Sequence, residues 1–482
     1  MIKNLRAKIQ TIPDGVKASV AYTICSVFQR CLSFITMPLF TRLLTTEQYG
    51  QYNIYQAWSS ILSIFLTLNL AYGSFSTAMI KYENDRKGYI AAVQNLCLLI
   101  AAVFLVLYYP FRESINQWLE LPTPLVFTMV LETLTVFGLS CWYAFKRFEY
   151  QYKNVVALTI LVSVLSPILA FVLVMNSSER GYARIVGYAA VNIIVGGTIF
   201  IYSFFAGKGG IKKEYWKYAL HFNIPLIPYY LSQVIFNQSD RIMISHISGT
   251  DKAGIYSVAY TLSTVLVVVL NAINGSYVPW LYGRIKEGQG RENRSIANGI
   301  AGLMAFLLLA VIALAPEIIL IMAGKDYYEA IWVVPPVAMS ILLLFYSQLF
   351  INVEFYYEEK KMLVWGSIGA AVLNIVLNGL LIPKFGYVAA GYTTLASYVV
   401  FAGTNYFTLK FISKKRQVPC DYFDLKALIG IALVFAVLTA LATMLYEHQV
   451  IRYVIVVLVL IAMAVAHKRI IAFIKRFVLR KT

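Results

Sequence analysis

ASVAYTICSVFQRCLSFITMPLF, residues Ala18–Phe40, is an apolar run with Gln29 and Arg30 near its middle. A helix rises 1.5 Å per residue, so about 20 residues cross the ~30 Å hydrocarbon core of a bilayer. Arg30 comes twelve residues after Ala18, which puts it ~18 Å into that core. A charge at that depth costs at least ~2.5 kcal/mol and must face protein or water rather than lipid. The spacing of Ser19, Thr23, Ser26, Arg30 and Ser33, in steps of four and three, puts them on one helix face. This stretch therefore reads as a membrane helix whose polar side lines a cavity.

The rest of the chain repeats the pattern. Of 482 residues, 60% are hydrophobic and 13% charged, and the mean hydropathy is +0.69. A soluble domain of this length could not hide so much apolar surface. The runs are continuous rather than alternating, which implies helices and not barrel strands. Fourteen spans are expected, at 18–41, 50–73, 90–110, 122–145, 155–175, 184–206, 219–247, 255–280, 297–323, 331–353, 362–383, 387–410, 427–446 and 450–466.

The formal net charge of +18 is distributed by topology. With the amino terminus inside, 31 of the 41 Lys and Arg fall on cytoplasmic segments, nine fall outside and Arg30 lies within the membrane. The clusters Lys146/Arg147/Lys153, Lys208/Lys212/Lys213/Lys217, Arg284/Lys286/Arg291/Arg294 and Lys414/Lys415/Arg416 occupy alternate loops, the positive-inside bias. Both termini are expected in the cytoplasm, and the charge needs no nucleic-acid partner. The ending HKRIIAFIKRFVLRKT reads as a basic amphipathic tail resting on anionic headgroups. Five scattered Cys residues offer no disulfide framework or zinc spacing.

The chain also repeats itself. TTEQYGQY (45–52) matches GTDKAGIY (249–256), and NLAYGSF (69–75) matches NAINGSY (271–277). EYQY (149–152) matches EFYY (354–357), and GYARIVGYAAVNIIV (181–195) resembles GYVAAGYTTLASYVV (386–400). Four matches in order, at offsets of 202 to 205, define two halves of six spans each. Six is even, so the halves are parallel repeats about an axis along the membrane normal, as in transporters with a central site. The expected fold is an all-α integral membrane protein: two six-helix bundles related by a pseudo-twofold around a central cavity, plus two C-terminal helices. The divisions are 1–210, 211–416 and 417–482.

Other polar groups lie at depth. Glu132, ten residues into the fourth span, stands at a depth similar to Arg30 and is its candidate counter-ion or a coupling group. In NQSDR (237–241), Asp240 and Arg241 lie toward the outer third of the seventh span. Arg241 can act as a second anion-binding group, or the pair can be an interfacial charge cluster. Asn69, Asn271, Asn274, Asn374 and Asn378 read as interhelical hydrogen-bonding groups. Glu317 is expected at the outer interface. The chain contains no GxxxxGK[ST], HExxH, CxxC or GxSxG, so catalysis and a bound cofactor are not expected.

Several segments resemble one family. TRLLTTEQYGQYNIY (41–55), FNQSDRIMISHISGTDKAGIYSVAY (236–260), APEIILIMAGKDYYEA (315–330) and LNIVLNGLLIPKFGYVAAGYTTL (373–395) are similar to Wzx-type polysaccharide-biosynthesis flippases. These belong to the multidrug/oligosaccharidyl-lipid/polysaccharide exporter superfamily. The resemblance implies a protein of the bacterial plasma membrane that flips an undecaprenyl-diphosphate-linked glycan for capsule, O-antigen or exopolysaccharide assembly, beside polysaccharide polymerase machinery. It also implies that Arg30, at the position of a first-span arginine in the related lipid II flippases, recognises the diphosphate. Gln29, beside it, and Arg241 are further candidate cavity groups by their place in the sequence. Thr36 stands where those flippases place a second arginine. Two other readings compete: a cation-coupled multidrug exporter, which would want carboxylates such as Glu132 at its centre, and a membrane-embedded polymerase or ligase, which would want larger external loops.

The topology has a direct check. In a Cys-free background, an impermeant thiol reagent on intact cells should label Ser177→Cys and spare Lys212→Cys. The reverse pattern would overturn the whole span assignment.

Overall fold

The computed structural model describes residues 14–418 and 421–454. The described chain forms two compact units that divide between Ser257 and Val258. All of its long elements are helices, and ten helical segments are long and apolar enough to cross a membrane. Helices run through the first thirteen expected spans, but the second, seventh, eighth and ninth are each interrupted by a turn. The basic tail and all but the start of the fourteenth span lie outside the described residues.

The first unit contains α1 (Asp14–Leu43), α2 (Thr46–Thr67), α3 (Phe75–Lys81), α4 (Arg86–Tyr108), α5 (Arg112–Leu119), α6 (Thr123–Phe148), α7 (Tyr152–Met175), α8 (Arg180–Ala206), α9 (Lys213–Asn223) and α10 (Ile227–Ser248). It ends within α11 (Thr250–Thr264). Helix α8 packs along both α6 and α7, α1 lies on α7, and α2 contacts α6, α8 and α10. A capping box starts α2: Thr45 Oγ1 accepts from the Gln48 amide, and Gln48 Oε1 accepts from the Thr45 amide, each at 3.2 Å.

The second expected span, 50–73, is not one continuous helix. Leu68 and Asn69 adopt left-handed conformations with φ of 47° and 53°, and a turn runs to Ser74 before α3 begins. For Leu this conformation costs roughly 1–2 kcal/mol; Asn tolerates it better. Gly73 lies where any Cβ would overlap the Asn223 side chain. Asn223 Nδ2 donates to Ser74 Oγ at 2.7 Å, and Ser74 shares a 3.2 Å hydrogen bond with the Tyr89 hydroxyl. Irregular backbone survives in a membrane protein where it is buried in protein, and here Ser74 and Asn223 are fully buried. The matching stretch of the second repeat, 271–277, stays helical within α12 (Val267–Lys286).

Helix α9 pins the break from the cytoplasmic side of the expected topology. Tyr215, Ala219 and Asn223 form its buried face at steps of four. Lys212 pairs with Asp85, the Tyr215 hydroxyl donates to Asp85 at 2.8 Å, and Trp216 Nε1 donates to the Ala92 carbonyl at 2.7 Å. Asp85 also caps α4, accepting from the Gly88 amide. Burial and the Asp85 carboxylate push the Tyr215 hydroxyl up to about 12, so it remains a donor at neutral pH. The packing boundary, inside α11, thus falls beyond the repeat boundary near residue 210, because α9 and α10 are held by the first unit.

The second unit contains α12, α13 (Asn293–Ala313), α14 (Ala315–Met322), α15 (Val334–Tyr356), α16 (Lys360–Phe385), α17 (Ala389–Arg416) and α18 (Leu425–Met444). Helix α17 packs on α15 and α16, and α18 packs on α13. The expected asparagine pair joins α16 to α17. Asn374 Nδ2 donates to Thr394 Oγ1 at 3.2 Å, Asn378 Nδ2 donates to Asn374 Oδ1 at 3.1 Å, and Thr393 donates to Asn378. Asn274 Nδ2 reaches Gln348 Oε1 at 2.5 Å. Glu317 is more than an interfacial charge: it pairs with the buried Arg452 and accepts from the Tyr453 hydroxyl at 2.9 Å.

That pair anchors the chain beyond α18 onto α14. Removing the acid alone leaves a buried guanidinium uncompensated, which costs about 3 kcal/mol. Glu317→Gln should therefore lower the melting temperature of the purified protein, and Arg452→Met in that background should restore part of the loss. An unchanged melting temperature for the single variant would show that the pair carries no stability.

Candidate functional site

The site is built on α1, and burial divides that helix into faces. At about 100° per residue, Ala18, Cys25, Thr36 and Phe40 share the side toward the protein, and Gln29 lies on the same side but is exposed. Gln29 Nε2 donates to Ser163 Oγ of α7 at 3.0 Å, and the Ser163 hydroxyl donates to the Thr159 carbonyl at 2.7 Å. Val20, Ile24, Phe28, Ile35 and Leu39 form the opposite, exposed apolar side. Thr23, Ser26, Arg30 and Ser33 lie in a strip between the two and are all exposed. An exposed polar strip on a membrane helix belongs against water, since lipid offers its donors nothing. Toward the end of α1 the surroundings close in: Met37, Phe40 and Thr41 are buried.

Arg30 makes no hydrogen bond or ion pair with any described residue, and Gln29 beside it is committed to α7. A guanidinium is permanently charged and offers a planar fork that matches phosphate oxygens. Exposed on this strip, it has the chemistry to take an anion.

The expected pairing of Arg30 with Glu132 is not made. Glu132 projects from α6 into the packed interior, where it is 6% exposed. The Tyr55 hydroxyl of α2 donates to its Oε2 at 2.7 Å, and Asn192 Nδ2 of α8 donates to its Oε1 at 2.8 Å. The carboxyl is thus satisfied by neutral donors from two helices. Depth along the membrane, which the sequence supplies, does not fix the direction in which a side chain points. Asp240 and Arg241 diverge in the same way. The Tyr256 hydroxyl donates to the buried Asp240 at 2.6 Å. Arg241 Nη1 donates to Gln238 Oε1 at 2.5 Å and to the Asn237 carbonyl at 3.2 Å, both on its own helix. Neither residue bonds to Arg30.

A second buried guanidinium escaped the sequence reading. Arg184, at the first residue of an expected span, is 5% exposed. Its guanidinium carbon lies 3.9 Å from the ring centre of Tyr52, 4.4 Å from Tyr49 and 4.5 Å from Phe40. Its Nε and Nη1 have no hydrogen-bond partner among the described residues. Desolvated cation–π contacts are worth up to ~2 kcal/mol each, so three rings offset much of the burial cost. Arg184, Tyr188 and Asn192 follow at steps of four on α8. They face Tyr49, Tyr52 and Tyr55 of α2, with Tyr188 and Tyr52 rings 5.2 Å apart. That spacing of four was legible in the sequence, but Arg184 reads there as one more external basic residue.

Comparison with known proteins places this architecture. The chain is 24% identical over 390 residues to a protein of the Lsg locus of Haemophilus influenzae, an alignment covering 74% of this chain and 89% of that protein. Its structure is similar to that of the lipid II flippase MurJ in an inward closed conformation, with a TM-score of 0.71, 14% identity, and coverage of 94% of this chain and 100% of that one. It is also similar to an inward-facing multidrug resistance MATE family transporter of the MOP superfamily, with a TM-score of 0.63, 12% identity, and coverage of 83% and 99%. The polysaccharide biosynthesis protein family matches residues 16–283, more than half of the chain. An all-α membrane fold shared with those transporters, together with that match, identifies the chain as a member of the polysaccharide biosynthesis protein family.

Proposed function

We propose that the protein is a flippase that moves an undecaprenyl-diphosphate-linked oligosaccharide from the cytoplasmic to the outer leaflet of the bacterial plasma membrane. It works by alternating access, with both termini in the cytoplasm, and supplies capsule, O-antigen or exopolysaccharide assembly and its polymerase machinery. The observation that carries this reading is the uncommitted Arg30 on the exposed polar strip of α1. A diphosphate must bring its negative charge through a low-dielectric interior, where a fixed guanidinium lowers the cost most. The family match and the lipid II flippase as a structural neighbour agree with it. In this reading Gln29 orients the strip by its bond to Ser163, and Arg241, steadied by Gln238 and the Asn237 carbonyl of its own helix, is a further anion-binding group.

The second reading, a cation-coupled exporter, is favoured by one observation: the buried Glu132, whose carboxylate is bonded among the described residues only to Tyr55 and Asn192. A carboxyl without a counter-charge in such a place is suited to gain and lose a proton. The two readings are compatible if Glu132 couples an ion to movement of the glycan.

Arg30 separates them. Arg30→Ala should abolish surface polymer in a strain deleted for this gene while the protein still inserts at a normal level, because nothing packed is lost. Arg30→Lys should keep a fraction, having charge but no fork, and Arg30→Glu should be inactive. A normally expressed Arg30→Ala protein with full surface polymer would remove Arg30 from the mechanism.

Glu132 and Arg30 should act independently on folding. Glu132→Ala leaves the Tyr55 hydroxyl and the Asn192 amide unsatisfied, at roughly 1–3 kcal/mol each. Its effect on the melting temperature should add to that of Arg30→Met within about 0.5 kcal/mol. Rescue of Glu132→Ala by Arg30→Met would mean that the two residues do pair.

A further inference from the structure

The repeated segments TTEQYGQY and GTDKAGIY meet each other in the fold. A Cβ added at Gly50 would overlap the Thr250 carbonyl, and one added at Gly254 would overlap the Thr46 carbonyl. Thr46 and Thr250 are repeat equivalents, as are Gly50 and Gly254, all 204 apart. The contact is therefore reciprocal: each copy's glycine receives the other copy's threonine, as in a self-complementary twofold interface. Thr-x-x-x-Gly is a small-xxx-small spacing, which lets two membrane helices approach to backbone contact.

Supporting contacts gather around this crossing. Thr250 Oγ1 and Ser245 Oγ are 2.9 Å apart, and Ser245 also donates to Glu120. His246 Nδ1 lies 3.2 Å from the second Glu120 oxygen. Glu120 itself holds a left-handed conformation, φ 56°, at the corner between α5 and α6. Arg180 Nη1 donates to the Leu43 carbonyl at 3.2 Å, and Gly181 abuts Gln51. On the positive-inside topology all of these helix ends are external. Helix α1 is buried at that end, at Met37, Phe40 and Thr41, and open along its polar strip from Thr23 to Ser33.

We propose that the paired Thr-x-x-x-Gly segments are the outer gate of the transport path. Gly50 and Gly254 let the two copies close at backbone contact in the present state, and the copies part when the cavity opens outward. The Glu120–Ser245–Thr250 chain holds the gate shut. The inference rests on the alternating-access reading above and not on the identity of the cargo.

The test uses accessibility from outside, which needs no substrate. In a background without the five native cysteines, Ser33→Cys marks the polar strip beneath the gate. An impermeant charged maleimide applied to intact cells should label it slowly. Gly50→Val or Gly254→Val should raise the labelling rate roughly tenfold, equivalent to ~1.4 kcal/mol of lost closure. Surface polymer should fall, because the inward-open state is no longer sealed. An unchanged labelling rate in valine variants present at normal membrane level would overturn the gate. If the valine variants do not accumulate, Glu120→Gln with Ser245→Ala decides the matter, since it loosens the clamp without adding bulk. Faster labelling there supports the gate, and unchanged labelling refutes it. A failed cargo assignment would show separately, as full surface polymer in the strain deleted for this gene beside a normal gating response.

Discussion

A hydrocarbon interior offers no hydrogen bonds, so each polar group carried to membrane depth must find a protein partner or face water. Most features of this protein follow from that constraint. Glu132 finds Tyr55 and Asn192, Asp240 finds Tyr256, and Asn374 and Asn378 find each other and the threonines of α17. Arg452 finds Glu317. Arg184 pairs with no carboxylate among the described residues and is held instead by the faces of three aromatic rings. Against that background Arg30 stands apart, because it is exposed and makes no hydrogen bond or ion pair with any described residue.

The same constraint explains how the chain tolerates a broken helix. The turn from Leu68 to Ser74 exposes backbone groups that lipid could not satisfy. Its local bonds, from the Tyr72 and Gly73 amides to the Asn69 carbonyl, and the buried Ser74–Asn223–Tyr89 knot supply partners instead. The knot depends on α9, whose Tyr215 and Lys212 are held by Asp85. One short amphipathic helix thus supports both the break in the second span and the start of α10. This gives a physical reason for the first unit to extend into α11, well past the end of the first repeat.

Repetition and divergence coexist in the two halves. Thr46–Gly50 and Thr250–Gly254 keep the same spacing because each needs a glycine where the other's backbone arrives. The pair NLAYGSF and NAINGSY keeps its similarity in letters but not in conformation, since only the first copy has Asn223 to occupy the space beside its glycine. Sequence similarity between repeats therefore preserves where helices can approach, while local conformation follows from what approaches them.

The sequence by itself determined the all-α membrane class of the fold, the course of most long helices and the repeated segments. These depend on composition, length and rise per residue, which are properties of the chain alone. It also located Arg30 and the polar side of α1, because a face is set by helical spacing. Only the tertiary structure decided which partner each polar group takes. Arg30 and Glu132 share a depth, yet one turns toward water and the other into the packing of α2, α6 and α8. The break at Leu68, the caged Arg184 and the crossing of the two glycine segments were likewise hidden. Each depends on the rotation of a helix about its axis and on which neighbour meets it, and hydropathy carries no record of either.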